Sequence, residues 1–267
     1  MIVNDEIISK LLKIAQKAGS AILNVYKSEF NVFTKEDKSP LTEADKQAHE
    51  IIKINLENIT PDVPILSEEG TEIDYNERSK WDLYWLIDPL DGTKEFIKKN
   101  DEFTVNIALI EKNEPVLGVI YAPAISKLYY ASKNNGAYKL SGSTIFENLN
   151  ESKSIKVNRL VTSNETRIIS SRSHSNEKVN NWISENFDKV AVLKKGSSLK
   201  FCEIAEGNAD LYPRFGPTSE WDIAAGHIIL KEAGGTLLTL NNKQIFYNTK
   251  DSLINPEFVA SNNLIKI

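Results

Sequence analysis

The sequence predicts an α/β protein built as an α+β half followed by an α/β half, with a site between the two. Two observations carry that prediction. Up to about residue 140, helical spacing gives way to strand-like runs separated by short turns, the pattern of an antiparallel sheet. From about residue 166 onward, strands and helices alternate, the pattern of α/β units. Between them, Leu140 to Thr166 is rich in Ser, Asn and charge. It marks the expected boundary between residues 1–150 and 151–267.

Each element has its own signal. Ile7, Ile8, Leu11, Leu12, Ala15, Ala18 and Ile22 recur at helical spacing and predict a first helix to about Tyr26. A second helix begins in "LTEADKQAHEIIKI", where Thr42 and Asp45 have the spacing of a capping box. The runs "VPIL", "LYWLID", "TVNIALI", "PVLGVIYAP" and "KLYYAS" read as strands. In the second half "RIISS", "KVAVLK", "ADLYP" and "TLLTL" read as strands. The helices between them are "NEKVNNWISENF", "SSLKFCEIAEG" and "SEWDIAAGHIILKEAGG".

Bulk composition narrows the function. The chain has 267 residues, 41% hydrophobic and 26% charged, ordinary values for a soluble globular protein with ample core. A net charge of −5 without long like-charge runs argues against a surface that coats nucleic acid. A small anionic substrate remains open if a cation reverses the local sign. Cys202 is the only cysteine, which excludes intramolecular disulfides and Cys-cluster zinc sites and makes a reducing cytosol the default. Asp5 and Glu6 stand where a signal peptide would need an apolar core. No run approaches the roughly 18 apolar residues of a membrane span.

The stretch "WLIDPLDGTKEF" (Trp85 to Phe96) carries the chemistry. Pro89 rules out a helix through Asp88, and Gly92 permits a tight turn. Asp88 therefore ends a strand with Asp91 curled beside it. Two carboxylates so placed repel unless they share a cation or a proton, and hard oxygen ligands suit Mg²⁺. The main-chain N–H groups of Gly92 and Thr93, opening the helical turn "TKEF", would face an anion. An ordinary strand-to-helix turn explains an isolated Asp-Gly equally well. A calcium-binding EF-hand does not, because Leu90 breaks its ligand spacing. A haloacid-dehalogenase-type phosphatase has one residue between its two aspartates, whereas Pro89 and Leu90 make two here. Glu68 and Glu69 in "ILSEEG" follow another apolar run, and Asp222 in "SEWDIAAG" starts a helix. Taken singly they read as solvated glutamates and an N-cap.

Together, "PLTEAD", "ILSEEG", "DPLDGTKEF", "SRSH", "GSSLK" and "WDIAAG", in that order, resemble the inositol monophosphatase superfamily of metal-dependent phosphatases. More narrowly, they resemble its 3'(2'),5'-bisphosphate nucleotidases of the bacterial CysQ type. The likeness runs from about Ala15 to Gly235 and is thin over Asn134 to Arg167 and after Leu240. It implies a layered α/β/α/β/α sandwich holding two or three Mg²⁺ ions. Glu68, Asp88 and the carbonyl of Leu90 would hold the first ion, and Asp88, Asp91 and Asp222 the second. Asp45 and Thr93 match the pair that orients or deprotonates the attacking water. The stretch Leu90, Asp91, Gly92 and Thr93 would contact the phosphate, with Glu68 and Asp222 also facing the substrate. Nucleotide contacts fall on Ser171, His174, Gly196 and Lys200; Ser171 replaces a threonine and keeps the hydroxyl, while "GSSLK" departs from a looser glycine-rich version.

The activity so implied is hydrolysis of adenosine 3',5'-bisphosphate, and of its sulfated parent, by in-line attack of water with no covalent phosphoenzyme. Inositol monophosphate and fructose 1,6-bisphosphate are the alternative substrates within the superfamily, and inhibition by lithium is a further family expectation. A non-catalytic nucleotide-binding regulator would be free to lose groups such as Asp45, and the carboxylate set is intact. The implied partner is a small molecule, with no nucleic acid and no obligate protein partner. The implied location is the cytoplasm, relatives of this type also being found peripherally on the inner membrane.

Overall fold

The computed structural model describes residues 3–34, 40–142, 149–159, 165–172 and 176–264. Helix α1 (Asp5–Tyr26) starts where Asn4 Oδ1 accepts the Ile7 N–H at 2.9 Å. A short hairpin of β1 (Val32–Thr34) and β2 (Pro40–Thr42) leads into α2 (Glu43–Ile59), which packs beside α1. Thr42 and Asp45 close the expected capping box. Next come β3 (Ile65–Ser67), α3 (Tyr75–Arg78), β4 (Leu83–Asp91), α4 (Thr93–Ile97), β5 (Thr104–Glu111), β6 (Glu114–Ala122), β7 (Lys127–Ser132), β8 (Ala137–Ser141) and β9 (Lys153–Ile155). Strands β3 to β9 form one sheet in chain order, parallel only between β3 and β4.

The period of two along these strands decides the layers. Trp85, Ile87, Val105, Ile107 and Leu109 point into the core with α1 and α2. Their neighbours Tyr84, Leu86, Ala108 and Ile110 point into a second core on the other side. Burial on both faces is why "LYWLI" and "IALI" read as continuous apolar runs rather than as alternating ones.

The second sheet is built from β10 (Thr166–Ser171), then, after α5 (Glu177–Asn186), β11 (Val190–Lys195), then, after α6 (Leu199–Ala205), β12 (Leu211–Arg214); beyond α7 (Glu220–Glu232) come β13 (Thr236–Thr239) and β14 (Phe258–Ser261). Its order is β11-β10-β12-β14-β13, with β11, β10 and β12 parallel and β14 antiparallel to both neighbours. Helices α6 and α7 supply Phe201, Ile204, Ile223 and Ile228 to the core between the two sheets. Helix α5 covers the outer face with Val179 and Ile183 against Ile168, Leu211 and Val259. The layers are therefore α1/α2, seven-stranded sheet, α6/α7, five-stranded sheet and α5, the α/β/α/β/α order expected. Strands β8, β9 and β14 carried no recognised sequence signal. The interior strand β14 is only four residues long, and because it runs antiparallel to β12 and β13 the second sheet is mixed rather than purely parallel.

The middle layer lies close on the first sheet. A Cβ placed on Gly118 of β6 would sit 2.5 Å from Ile228 Cγ2 and 2.9 Å from the Ala225 carbonyl oxygen. The obstruction includes helix backbone and cannot be cleared by a rotamer change. Gly118→Ala is expected to cost about 1–3 kcal/mol by overpacking, lowering the melting temperature by a few degrees per kcal/mol. A thermal melt matching wild type would show that α7 does not bear on the sheet there.

Candidate active site

The site forms where β4 ends. Asp88 pairs with Asn106 of β5, the register then slips, and the ladder resumes only at Asp91 opposite Thr104. Pro89 has no N–H to give the ladder, and the bulge turns Asp88 inward, where it is 1% exposed. The Leu90 N–H donates to Asp88 Oδ1 at 3.1 Å. Gly92 takes a left-handed φ of 91° and caps α4, a conformation that suits glycine. The Glu68 N–H donates to the Ile87 carbonyl at 3.2 Å, so parallel pairing carries Glu68 to the same sheet end. Asp222 arrives from the first turn of α7, where its Oδ2 accepts the Ser219 N–H at 2.8 Å in a capping box.

Carboxylate oxygens of Glu68, Asp88 and Asp222 lie within 4.8 Å of one another. Burial, and after it the charges of Glu68, Asp91 and Asp222, push the Asp88 carboxyl well above the usual carboxylate range. Burial, then Asp91 and Glu68, do the same to Asp222. Stacked like charges of this kind are relieved by a cation. An all-oxygen donor set fits a hard divalent ion. The family resemblance divided these residues between two ions; the close trio takes Glu68 from one set and Asp222 from the other, with Asp88 common to both.

Asp91 lies across the turn. Its Oδ2 accepts from Ser197 Oγ at 2.7 Å and from Asn106 Nδ2 at 3.5 Å. Burial raises its pKa, opposed by the nearby Lys200 and by hydrogen bonds from Ser197 and Ser198. Ser197 Oγ also lies 2.5 Å from Thr104 Oγ1, which sits 2.7 Å from Ser198 Oγ; Ser198 in turn donates to Asn106 Oδ1 at 2.7 Å. A buried hydroxyl network thus ties Asp91 to the segment entering α6.

Asp45 serves two purposes at once. Its Oδ2 accepts the Thr42 N–H at 2.7 Å and the Thr42 hydroxyl at 2.6 Å, which is the capping role. Its Oδ1 accepts from Thr93 Oγ1 at 3.3 Å, which joins the cap to the aspartate turn. Burial leads in raising its pKa. Thr93 Oγ1 also stands 3.4 Å from the Leu90 carbonyl, and its single proton can go to only one of the two.

The cleft above the turn has a volume of about 250 Å³, with Glu68, Asp91, Gly92, Thr93, Ser171 and Asp222 in its lining. Lys200 and Arg214 line it too. Lys200 is 7% exposed, donates from Nζ to the Ser197 carbonyl at 2.6 Å and stands over the Tyr212 ring at 5.3 Å. Gly196 stands just before this segment and gives its N–H to Glu102 Oε2 at 2.7 Å. His174 lies outside the described residues. Ser197, Ser198 and Arg214 were not singled out in the sequence. Ser197 and Ser198 are the two serines inside "GSSLK", and Arg214 is the lone cation in "YPRFGPTSEWD". Arg214 Nη2 donates to the Pro217 carbonyl at 3.0 Å, while its buried Nε has no hydrogen-bond partner among the described residues.

Comparison with known proteins gives the family. The profile of the "Inositol monophosphatase family" matches residues 3–266. The chain is 43% identical over 253 residues to a Salmonella typhimurium protein named 3'(2'),5'-bisphosphate nucleotidase CysQ, covering 94% of this chain and 98% of that one. It is 44% identical to the Buchnera aphidicola protein of the same name, over 96% and 94% of the two chains. The crystal structure of CysQ from Bacteroides thetaiotaomicron superposes with a TM-score of 0.83 at 42% identity, covering 95% and 96%. An IMPase of Thermotoga maritima superposes at 0.78 with 26% identity, covering 97% and 93%. A match of such length, on the same fold, admits one assignment: the chain belongs to the inositol monophosphatase family.

Proposed function

We propose that this protein is a cytoplasmic, Mg²⁺-dependent phosphatase that removes the 3'-phosphate of adenosine 3',5'-bisphosphate, giving AMP and phosphate, and that also accepts the sulfated parent nucleotide. The observation that carries the reading is one cleft lined both by members of an acidic cluster and by Lys200 and Arg214. Such a cleft suits a substrate with one phosphate to cleave and a second to hold. Relatives named as bisphosphate nucleotidases, at 43% and 44% identity over almost the whole chain, support it.

Glu68, Asp88, Asp91, Asp222 and the Leu90 carbonyl would hold two or three ions. Bound Mg²⁺ supplies positive charge against the phosphate and makes water more acidic. The protein supplies the proton path. Thr93 Oγ1 donates to Asp45 Oδ1 and keeps lone pairs with which to accept from a water in the cleft. As that water attacks, its proton passes to Thr93 Oγ1 while the Thr93 proton passes to Asp45 Oδ1. Burial raises the affinity of Asp45 for that proton. Thr93 and Gly92 border the cleaved phosphate, Ser171, Gly196 and Lys200 belong to the nucleotide side, and the family resemblance adds His174 as a nucleotide contact. Arg214 lines the cleft beside them.

Phosphate release from adenosine 3',5'-bisphosphate, inositol 1-phosphate and fructose 1,6-bisphosphate, with Mg²⁺ and with chelator, tests the reading. The nucleotide is expected to lead, and chelator to abolish turnover. Faster release from inositol 1-phosphate would overturn the nucleotidase assignment. Arg214→Ala is expected to lower kcat/KM on the bisphosphate by about ten- to a hundredfold, the worth of one charged hydrogen bond. It should barely alter inositol 1-phosphate, which has no second phosphate. Equal losses on both substrates would assign Arg214 to the fold or to the common site.

A further inference from the structure

Glu102 lies between α4 and β5 and has no part in the chemistry above. Its carboxylate nevertheless gathers segments distant in sequence. Oε2 accepts Arg172 Nε at 2.7 Å, Oε1 accepts Arg172 Nη2 at 2.8 Å, and Oε2 also takes the Gly196 N–H at 2.7 Å. Arg172 Nη2 further donates to the Lys194 carbonyl at 3.1 Å. The Glu102 side chain is 13% exposed, so this forked pair is largely shielded on its acidic side. Its backbone is equally close: a Cβ on Gly92 would lie 3.1 Å, and one on Gly196 2.8 Å, from the Glu102 carbonyl oxygen.

Each contacted segment leads into the cleft. Gly92 belongs to the aspartate turn, Arg172 follows the cleft-lining Ser171, and Gly196 precedes Ser197 and Lys200. Ser197 has a φ of 54°, a left-handed conformation that a residue with a side chain keeps only when its surroundings enforce it. Here the enforcement comes from the Gly196 N–H held by Glu102 on one side and from the Ser197 hydroxyl held by Thr104 and Asp91 on the other.

We propose that Glu102 is a positioning residue: with Arg172 it clamps the end of β10 and the Gly196–Lys200 segment onto the aspartate turn, setting the nucleotide side of the cleft in register with Asp91. The nucleotidase reading enters only through the substrate that reports the effect. Because the pairing of Asp91 with Thr104 between β4 and β5 and the Asn106 amide hold Asp91 independently of the clamp, loosening it should act on substrate grip and leave the chemical step alone.

Glu102→Gln keeps the shape and one acceptor for Gly196 but removes the charge that Arg172 requires. KM for adenosine 3',5'-bisphosphate should rise about tenfold, one charged hydrogen bond, with kcat almost unchanged. Arg172→Gln should do the same. The double variant should be no worse than either single one, since both remove one shared contact. Unchanged KM in both singles, or single effects that multiply in the double variant, would overturn the clamp. So would a fall in kcat at constant KM together with a lowered melting temperature, which is the signature of a merely structural role. Should the wild-type protein prove inactive on the bisphosphate, the substrate assignment fails and amide exchange decides the clamp separately. Over residues 194–200, exchange should quicken in Glu102→Gln while α1 is unaffected, and equal exchange in the two proteins would refute the clamp.

Discussion

Asp88→Asn is expected to abolish turnover while making the metal-free protein more stable. Asp88 is the buried member of the acidic trio, and its Oδ1 accepts the Leu90 N–H, which an asparagine oxygen can still do. The bulge should therefore keep its shape. What disappears is a negative charge shared by both expected ion positions, and losing several kcal/mol of transition-state stabilisation means roughly a thousandfold or more in rate. The stability change has the opposite sign. The folded-state pKa of Asp88 is raised above its unfolded value. Its contribution to stability is therefore fully present below the unfolded pKa and is lost as pH rises through the folded one. Burial and the neighbouring carboxylates make ionising Asp88 costly in the metal-free fold, and a neutral amide removes that cost. A divalent cation should raise the melting temperature of the wild-type protein, by mass action on the folded state, and do so much less for the variant. An active Asp88→Asn protein, or one whose melt responds to the cation as wild type does, would remove Asp88 from the metal site.

Asp45→Asn should divide catalysis from capping. Wild-type Asp45 accepts three hydrogen bonds, two from Thr42 and one from Thr93. Asparagine can keep its oxygen on Thr42, and its amide nitrogen then faces Thr93, whose proton can turn to the Leu90 carbonyl 3.4 Å away. The cap should weaken by about 1 kcal/mol at most. The proton acceptor, however, is gone, and turnover should fall by roughly a hundredfold or more. Full turnover with a lowered melting temperature would confine Asp45 to its capping box.

Much of the fold was legible because its causes are local. Asn4 and Thr42 cap helices whose apolar residues recur at helical spacing, and those helices are where expected. Pro89 breaks the ladder into a bulge and Gly92 then turns the chain, both by local geometry. Strands β1, β2, β8, β9 and β14 escaped notice, although strands just as short, such as β3 and β13, were read from their apolar runs. Within the site, the carboxylates of the family motifs were legible as residues, whereas Ser197 and Glu102 were not, since each matters through a partner far away in the chain, and Arg214 was not, since only folding brings it to the cleft.

By itself, then, the sequence determined the helices, the main strands, the acidic turn and the candidate groups, since backbone propensity, capping and turn geometry act over a few residues. Only the tertiary structure decided that Glu68, Asp88 and Asp222 share one small volume, that Asp45 reaches Thr93 as well as its cap, and that Glu102 joins three segments. The physical reason is that charge repulsion, desolvation and hydrogen bonding depend on distance and burial. The packing of α2, α6 and α7 against the two sheets sets both.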